Sequence, residues 1–257
     1  MDNNAQPTTA TVVFAPGCPF LKPYFEREFA NDLLIYVDDN SISADKVRDA
    51  IAASGFDISS TRAIMVSSTD IYNVSGGTAH DESTPLLPGS EWAAREEEFT
   101  HMAEAGKYAS TILRAAHIVG TGMNGLPMRL ARGIARGMLM HIRGNEAMLS
   151  VVHASDVARL AVILPAGLPP LNITDGTETR VDDLIDALAY RMKNKRVYTI
   201  KSQRIARLLY GGEYFGELTN TLTFSNAALL AALPAGTPPP EEVTNYLRTH
   251  VYDESSL

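Results

Sequence analysis

The amino-acid sequence predicts an α/β fold in which a parallel sheet carries helices on both faces. Three observations lead there. The runs Thr11-Val-Val-Phe-Ala15, Asp32-Leu-Leu-Ile-Tyr-Val37 and Arg62-Ala-Ile-Met-Val66 have the near-continuous apolar pattern of strands buried on both sides. Helical patterns separate these runs, and the alternation continues along the chain, which is the signature of βα units. The length of 257 residues, 45% hydrophobic and 20% charged, suits one globular domain with a core of its own.

Each element follows from local pattern. Pro16-Gly-Cys-Pro-Phe20 is a loop leading to a helix over 24–30. Ser43 is placed to cap a helix over 44–53 that Gly55 ends. The stretch 73–90, dense in Gly, Ser, Thr, Asp and Pro, reads as a loop, and 91–105 as a helix. Further strands are expected at 111–113, 149–152, 171–173 and 196–200, with helices at 126–136, 156–164, 181–192 and 202–209. In the helix at 181–192, Val181, Leu184, Ile185 and Leu188 recur at helical spacing. Gly236-Thr-Pro-Pro-Pro240 makes a stiff turn before a last helix over 241–250. The core sheet is expected within about 10–165, and 166–257 includes a small lobe. Ligands of such sheets bind beyond the carboxyl ends of the strands, which points to the loops 16–22, 67–72, 114–125 and 174–180.

Composition narrows the function. With a formal net charge of −8, a pI near 5.3 and no block of lysine and arginine standing out, no nucleic-acid partner is expected, and the lack of a long apolar run predicts no membrane partner. The one cysteine, Cys18, excludes an intrachain disulfide and a cysteine-built metal site. The polar opening from Met1 to Thr9 lacks the pattern of a signal peptide, and no apolar run reaches the roughly 20 residues of a spanning helix, so a cytoplasmic location is expected. The six histidines show no His-Glu-x-x-His spacing, and no Gly-x-Ser-x-Gly elbow occurs. Neither metal chemistry nor serine hydrolysis is indicated.

From Val66 to Leu188 a series of short motifs occurs in order. They are Val66-Ser-Ser-Thr-Asp-Ile-Tyr72, Asp81-Glu-Ser-Thr-Pro85, Thr111-Ile-Leu-Arg-Ala-Ala-His-Ile-Val-Gly-Thr-Gly122, His153-Ala-Ser-Asp-Val-Ala158 and Asn172-Ile-Thr-Asp-Gly176. Together the series resembles the NAD-dependent epimerase/dehydratase family, the extended short-chain dehydrogenases. Gly76-Gly77 before Asp81-Glu82 resembles atypical members that lack the catalytic tyrosine. The resemblance implies a Rossmann-like sheet, an NAD(P) site and homodimers formed through a bundle including the helix at 91–105, where Trp92, Phe99 and Met102 share a mixed face. It also places Ser68 where the family's substrate-orienting hydroxyl lies.

The departures bear on chemistry. The family's glycine loop lets backbone N–H groups approach a pyrophosphate at a helix N-terminus. Here the positions read Pro16-x-x-Pro19-x-x-Lys22, and proline supplies no N–H. Gly17 remains, and Lys22 is either a phosphate contact or a solvated surface residue. The N-terminal half is short by about two βα units. Residues 32–37 then read as the family's second strand, with Asp38 near a ribose, or as its fourth, which the following helix and Ser-Ser strand favour. In register, Trp92 falls at the family's catalytic tyrosine and Glu96 at its lysine. Indole carries no proton at neutral pH, and a carboxylate would raise rather than lower a neighbouring pKa. Arg95-Glu-Glu-Glu98 reads as a solvated helix face.

The site candidates are therefore Ser68, Thr69, Tyr72 and His117 for chemistry, and Gly17, Lys22, Asp38 and Arg114 for cofactor contact. Ser68 either orients a ligand or bonds its own backbone. Tyr72 reads first as packing, His117 as structural or ligand-facing, and His153 and Asp156 as a strand-to-helix link. The expected function is a degenerate, pseudoenzyme-like member of the family, with no cofactor or an NAD(P) held in an altered way, acting as a binding protein or partner subunit. The alternatives are an atypical NAD(P)-dependent oxidoreductase or sugar-nucleotide epimerase, and a cofactor-free lyase or isomerase.

Overall fold

A computed structural model describes residues 10–30, 32–39, 44–54, 61–193 and 195–250. Ser43 and Gly55, the expected cap and stop of the second helix, lie outside them. Strand β1 (Ala10–Phe14) passes through a single 3-10 turn into helix α1 (Lys22–Glu28), followed by β2 (Leu33–Val37), α2 (Ala44–Ser54) and β3 (Thr61–Ser68). A short β4 (Gly77–His80) precedes α3 (Glu91–Gly106), β5 (Ala109–Ala115) and β6 (His117–Val119). Next come α4 (Gly125–Ala135), β7 (Met140–Ile142), β8 (Met148–Leu149), β9 (Val151–His153) and α5 (Ala154–Ile163). Then follow β10 (Leu171–Ile173), β11 (Thr179–Arg180), α6 (Val181–Arg191), β12 (Tyr198–Ile200) and α7 (Gln203–Tyr210). The described chain ends with α8 (Gly212–Thr219), β13 (Leu222–Phe224), α9 (Ala227–Ala232) and α10 (Val243–Thr249).

Five parallel strands form the main sheet in the order β10-β5-β3-β1-β2. Counted along the sheet's own strands this is 2-1-3-4-5, a doubly wound order. Side chains alternate across it. Val12, Phe14, Ala63 and Met65 pack against Phe99, Met102 and Ala103 of α3. On the other face Val13, Ile64, Val66 and Leu113 meet Phe25 of α1, Leu160 of α5 and Leu229 of α9. This is the expected Rossmann-like architecture with helices on both faces.

The pairing settles the place of residues 32–37. β1 pairs with β2 on one side and directly with β3 on the other. The favoured reading of this run as a fourth strand is corrected, because a fourth strand stands between the first and the Ser-Ser strand. β2 takes the second-strand place, outside β1, and the strand that would separate β1 from β3 is absent from the sheet.

The expectations for α3 also change. Phe99 and Met102 are buried in the sheet-facing core and present no dimer surface. Glu97 and Glu98 are solvated as expected, but Glu96 is buried. The expected loop at 73–90 contains β4, which runs parallel to β13 in a small sheet ordered β11-β8-β13-β4.

A separate core gathers α4, α6, α8 and α10 around Leu130, Ile134, Leu184, Leu188, Leu218 and Leu247. At its edge His141 on β7 lies between two carboxylates of α6, with Nδ1 3.1 Å from Asp182 and Nε2 3.0 Å from Asp186. The nearby Asp182 carboxylate leads in raising its pKa above the ordinary 6.5, with Asp186 adding and burial opposing. The protonated ring is thus favoured in the folded state. Its contribution is fully present below about pH 6.5 and is lost as pH rises through the raised folded value. Thermal melts from pH 6 upward should show a decline in stability that His141→Gln flattens. Parallel profiles for the two proteins would refute the ion cluster.

Candidate functional site

The doubly wound order creates a crevice where β1 and β3 send their chains to opposite sides, which is where such sheets bind ligands. A cleft of about 420 Å³ opens there. Its walls come from three of the four expected loops, through Gly17 and Cys18, Ser67, Ser68 and Asp70, and His117 with Asn124 and Gly125. The loop 174–180 does not line it. Trp92 and Arg95 of α3 complete the wall, with the Arg95 guanidinium 4.9 Å from the Trp92 ring centroid. This volume lies at the low end of the roughly 300–1,000 Å³ typical of small-molecule sites.

The turn between β1 and α1 bonds most of its N–H groups internally. Pro16 and Pro19 have no N–H. Gly17 N–H donates to the Asp38 carbonyl at 3.0 Å, Cys18 N–H to Ala15 at 3.0 Å and Leu21 N–H to Cys18 at 3.0 Å. Lys22 N–H donates to the Pro19 carbonyl. These four donors are satisfied by main-chain carbonyls. Gly17 has φ +71°, so its role is to let the turn form. The Lys22 side chain is exposed beside Glu26 at 4.0 Å, and the Asp38 side chain is exposed on the outer side of β1. Neither lines the cleft. The Cys18 thiol is pushed up by burial, which makes it a poor nucleophile.

A buried network joins β5 to α3 beneath the cleft. Arg114 on β5 donates from Nε to Glu96 Oε1 at 3.0 Å and from Nη2 to Oε2 at 2.7 Å. Its Nη1 donates to the Tyr72 hydroxyl at 3.0 Å, and that hydroxyl donates to Asn172 Oδ1 at 2.7 Å. Burial pulls the Arg114 pKa down, but Glu96 and Tyr72 outweigh it and the net shift is upward. Burial raises the Tyr72 pKa, against the pull of Arg114. Tyr72 is 3% exposed and Thr69 is 5% exposed in the turn after β3. Thr69, Tyr72 and Arg114 therefore sit beneath the cleft wall rather than in it.

Ser68 and His117 do reach the cleft. Ser68 Oγ accepts the Asp70 N–H at 3.1 Å, which satisfies the backbone-bonding reading while leaving the hydroxyl proton free to donate. Burial lowers the pKa of His117, Asp70 opposes this and Arg129 adds to it, so the ring is neutral at physiological pH. Sequence reasoning missed Ser67, whose Oγ is buried and makes no hydrogen bond among the described residues. It also missed the start of α4. Asn124 stands at the N-cap position without capping, because its side chain donates to the Gly17 carbonyl at 2.9 Å. Gly125 and Pro127 of the first turn line the cleft, and since Pro127 carries no N–H the helix start offers few donors there. No group of side chains suited to a metal ion occurs among the described residues.

No family model matches the chain, and no curated protein matches it. Solved structures do. A putative epimerase from Burkholderia cenocepacia superposes with a TM-score of 0.68 at 15% identity, covering 96% of this chain and 98% of that one. The UDP-glucose 4-epimerase of Thermus thermophilus, in complex with NAD, gives 0.63 at 13% identity over 94% and 97%. The dTDP-glucose 4,6-dehydratase of Bacillus anthracis, also with NAD, gives 0.61 at 10% identity over 95% and 96%. The chain has the fold of these NAD-dependent epimerases and dehydratases.

Proposed function

We propose that this chain, built on the epimerase/dehydratase fold, is a binding or accessory protein that neither grips a dinucleotide by its phosphates nor transfers hydride. The observation that carries this reading is the β1–α1 turn, where two prolines and four internally bonded N–H groups stand where a pyrophosphate cradle would be. The Glu96–Arg114 pair supports it, since the position expected to carry a lysine beside a tyrosine carries a buried carboxylate instead. What the cleft offers is the Arg95 guanidinium, the serine hydroxyls and the His117 ring, with Asp70 as its carboxylate. Such a set suits a compact polar ligand.

The chain has one tryptophan, Trp92, and it lines the cleft. Its emission therefore reports occupancy directly. Titration with NAD⁺, NADH, NADP⁺ and NADPH should leave both Trp92 fluorescence and the melting temperature unchanged. A ligand at a hundredfold excess over its Kd would add about 2.7 kcal/mol of stability, easily visible as a shift. Micromolar binding of any of the four overturns the proposal and restores the oxidoreductase or epimerase reading. A second reading, a cofactor-free lyase or isomerase, draws on one observation: His117 and Asp70 both line the cleft. A neutral imidazole beside a carboxylate is equipped to accept a proton. Cofactor-independent turnover that disappears in His117→Asn would select it.

A further inference from the structure

The chain-wide acidity hides a local reversal. Seven of the 22 lysines and arginines, and none of the 30 acidic residues, lie between Ala187 and Gly212. Lys195, Arg196, Lys201, Arg204 and Arg207 are exposed, and none of these five enters an ion pair among the described residues.

Helix α7 lies within this segment and is itself unusual. Of its side chains only Ala206 is buried. Ile205, Leu208 and Leu209 are 54%, 84% and 59% exposed. Their spacing of i, i+3 and i+4 puts them on one stripe, which Ala206 shows to be turned away from the core. Arg204 and Arg207 flank that stripe along one side. Tyr198, on β12 just before the helix, is 60% exposed. An amphipathic helix normally turns its apolar face inward. Here the apolar stripe faces solvent and is bordered by cations.

We propose that α7, with the basic segment before it, docks the protein on an anionic lipid surface, Leu208 and Leu209 entering the headgroup boundary while the flanking cations meet lipid phosphates and carboxylates. Charge complementarity selects this occupant. A cluster of four to eight Lys or Arg on an amphipathic helix is the pattern that binds acidic lipids, and an aromatic residue at the water boundary with Leu side chains below it is the arrangement of interfacial helices. A second copy of this acidic chain is the rival occupant, and the test below separates it from a lipid surface. No helix among the described residues is long and apolar enough to cross a membrane, so the contact is peripheral. The run 187–212 corrects the expectation that no block of lysine and arginine stands out, and this proposal departs from the expectation of no membrane partner.

The test is co-sedimentation of the full chain with vesicles of phosphatidylcholine alone and with about one-third phosphatidylserine. Binding is expected only to the serine-lipid vesicles and should weaken with added salt. Arg204→Gln with Arg207→Gln should weaken it on the order of thirtyfold, taking about 1 kcal/mol per cation. Leu208→Ser with Leu209→Ser should also weaken it. Both pairs are exposed, so unchanged melting temperatures certify the fold. Absence of binding at low salt, equal binding to both vesicle types, or indifference to both variant pairs overturns the proposal. A dimer in sedimentation that the leucine variants convert to monomer overturns it too, assigning the stripe to a second copy.

Discussion

Glu96→Ala should lower the unfolding free energy by about 3–5 kcal/mol, the cost of leaving one member of a buried ion pair uncompensated. Glu96 and Arg114 have side chains 8% and 7% exposed, and their contact is bidentate. The guanidinium left behind would keep its hydrogen bond to Tyr72 and its position 5.2 Å from the Tyr72 ring centroid, but would lose its charge partner in a site closed to water. The double variant Glu96→Ala with Arg114→Met separates pairing from packing. Replacing a whole buried pair by apolar groups is often close to neutral, so the double variant should be more stable than the single one. Urea melts measure both. A single variant within 1 kcal/mol of wild type would show that the pair is not formed as described. If the position instead served catalysis, stability would hold while turnover fell, and the melts distinguish the two.

Glu96 also shows how the site was and was not legible. The run Arg95-Glu-Glu-Glu98 suggests a solvated surface because it is charged throughout. Yet Glu96, Phe99 and Ala103 are spaced i, i+3 and i+7, the stripe on which α3 meets the sheet, and all three are buried. Helical phase outweighs charge here because a partner exists. Alternation along β5 sends Arg114 to the same face as Ile112, toward α3. That partner is distant in sequence, so composition near Glu96 carries no sign of it.

The same contrast between local and non-local information runs through the fold. Runs such as Val12-Val13-Phe14 and Leu171-Asn172-Ile173 declare strands by themselves, and the cleft walls followed from placing loops at their carboxyl ends. Which strand β1 would pair with did not follow. Val12 faces Ile35 on one side and Ala63 on the other, and an apolar run fits a middle or an edge position equally. β4 was hidden for a related reason. Gly77-Thr-Ala-His80 lacks strand propensity and gains its ladder only from β13, more than 140 residues away by the Ala79 N–H to Thr223 Oγ1 bond. The closed β1–α1 turn was half legible. The prolines announce missing donors, but that Gly17, Cys18 and Leu21 spend theirs on carbonyls is a property of the folded turn.

His153 should give the protein a steep loss of stability in mild acid. Its side chain caps α5: Nδ1 accepts the Ser155 N–H at 3.2 Å and lies 2.6 Å from Ser155 Oγ. An acceptor Nδ1 carries no proton, so protonating it breaks the cap as well as burying a charge. The ring is 0% exposed. Burial, followed by the charges of Arg191 and His250, lowers its pKa from 6.5 to about 3. The folded pKa is thus depressed below the unfolded one. The contribution is present above about pH 6.5 and is lost as pH falls toward 3, at about 1.4 kcal/mol per pH unit while the unfolded chain alone binds the proton. Between pH 6.5 and 4.5 the loss should reach about 2–3 kcal/mol. Asparagine is an equally good N-cap that does not titrate, so His153→Asn should keep most of the neutral-pH stability and remove that slope. Urea melts across the range compare the two proteins, and other acid-sensitive groups, Asp175 among them, cancel in the difference. Equal slopes would mean that His153 ionises in the folded state. The companion residue Asp156 accepts Arg159 Nε at 2.9 Å and the Glu241 N–H at 2.9 Å, tying α5 to the segment before α10. In this chain the His153-x-x-Asp156 motif therefore acts as a structural clasp, and resemblance at that motif says more about how the sheet is held than about any reaction at its edge.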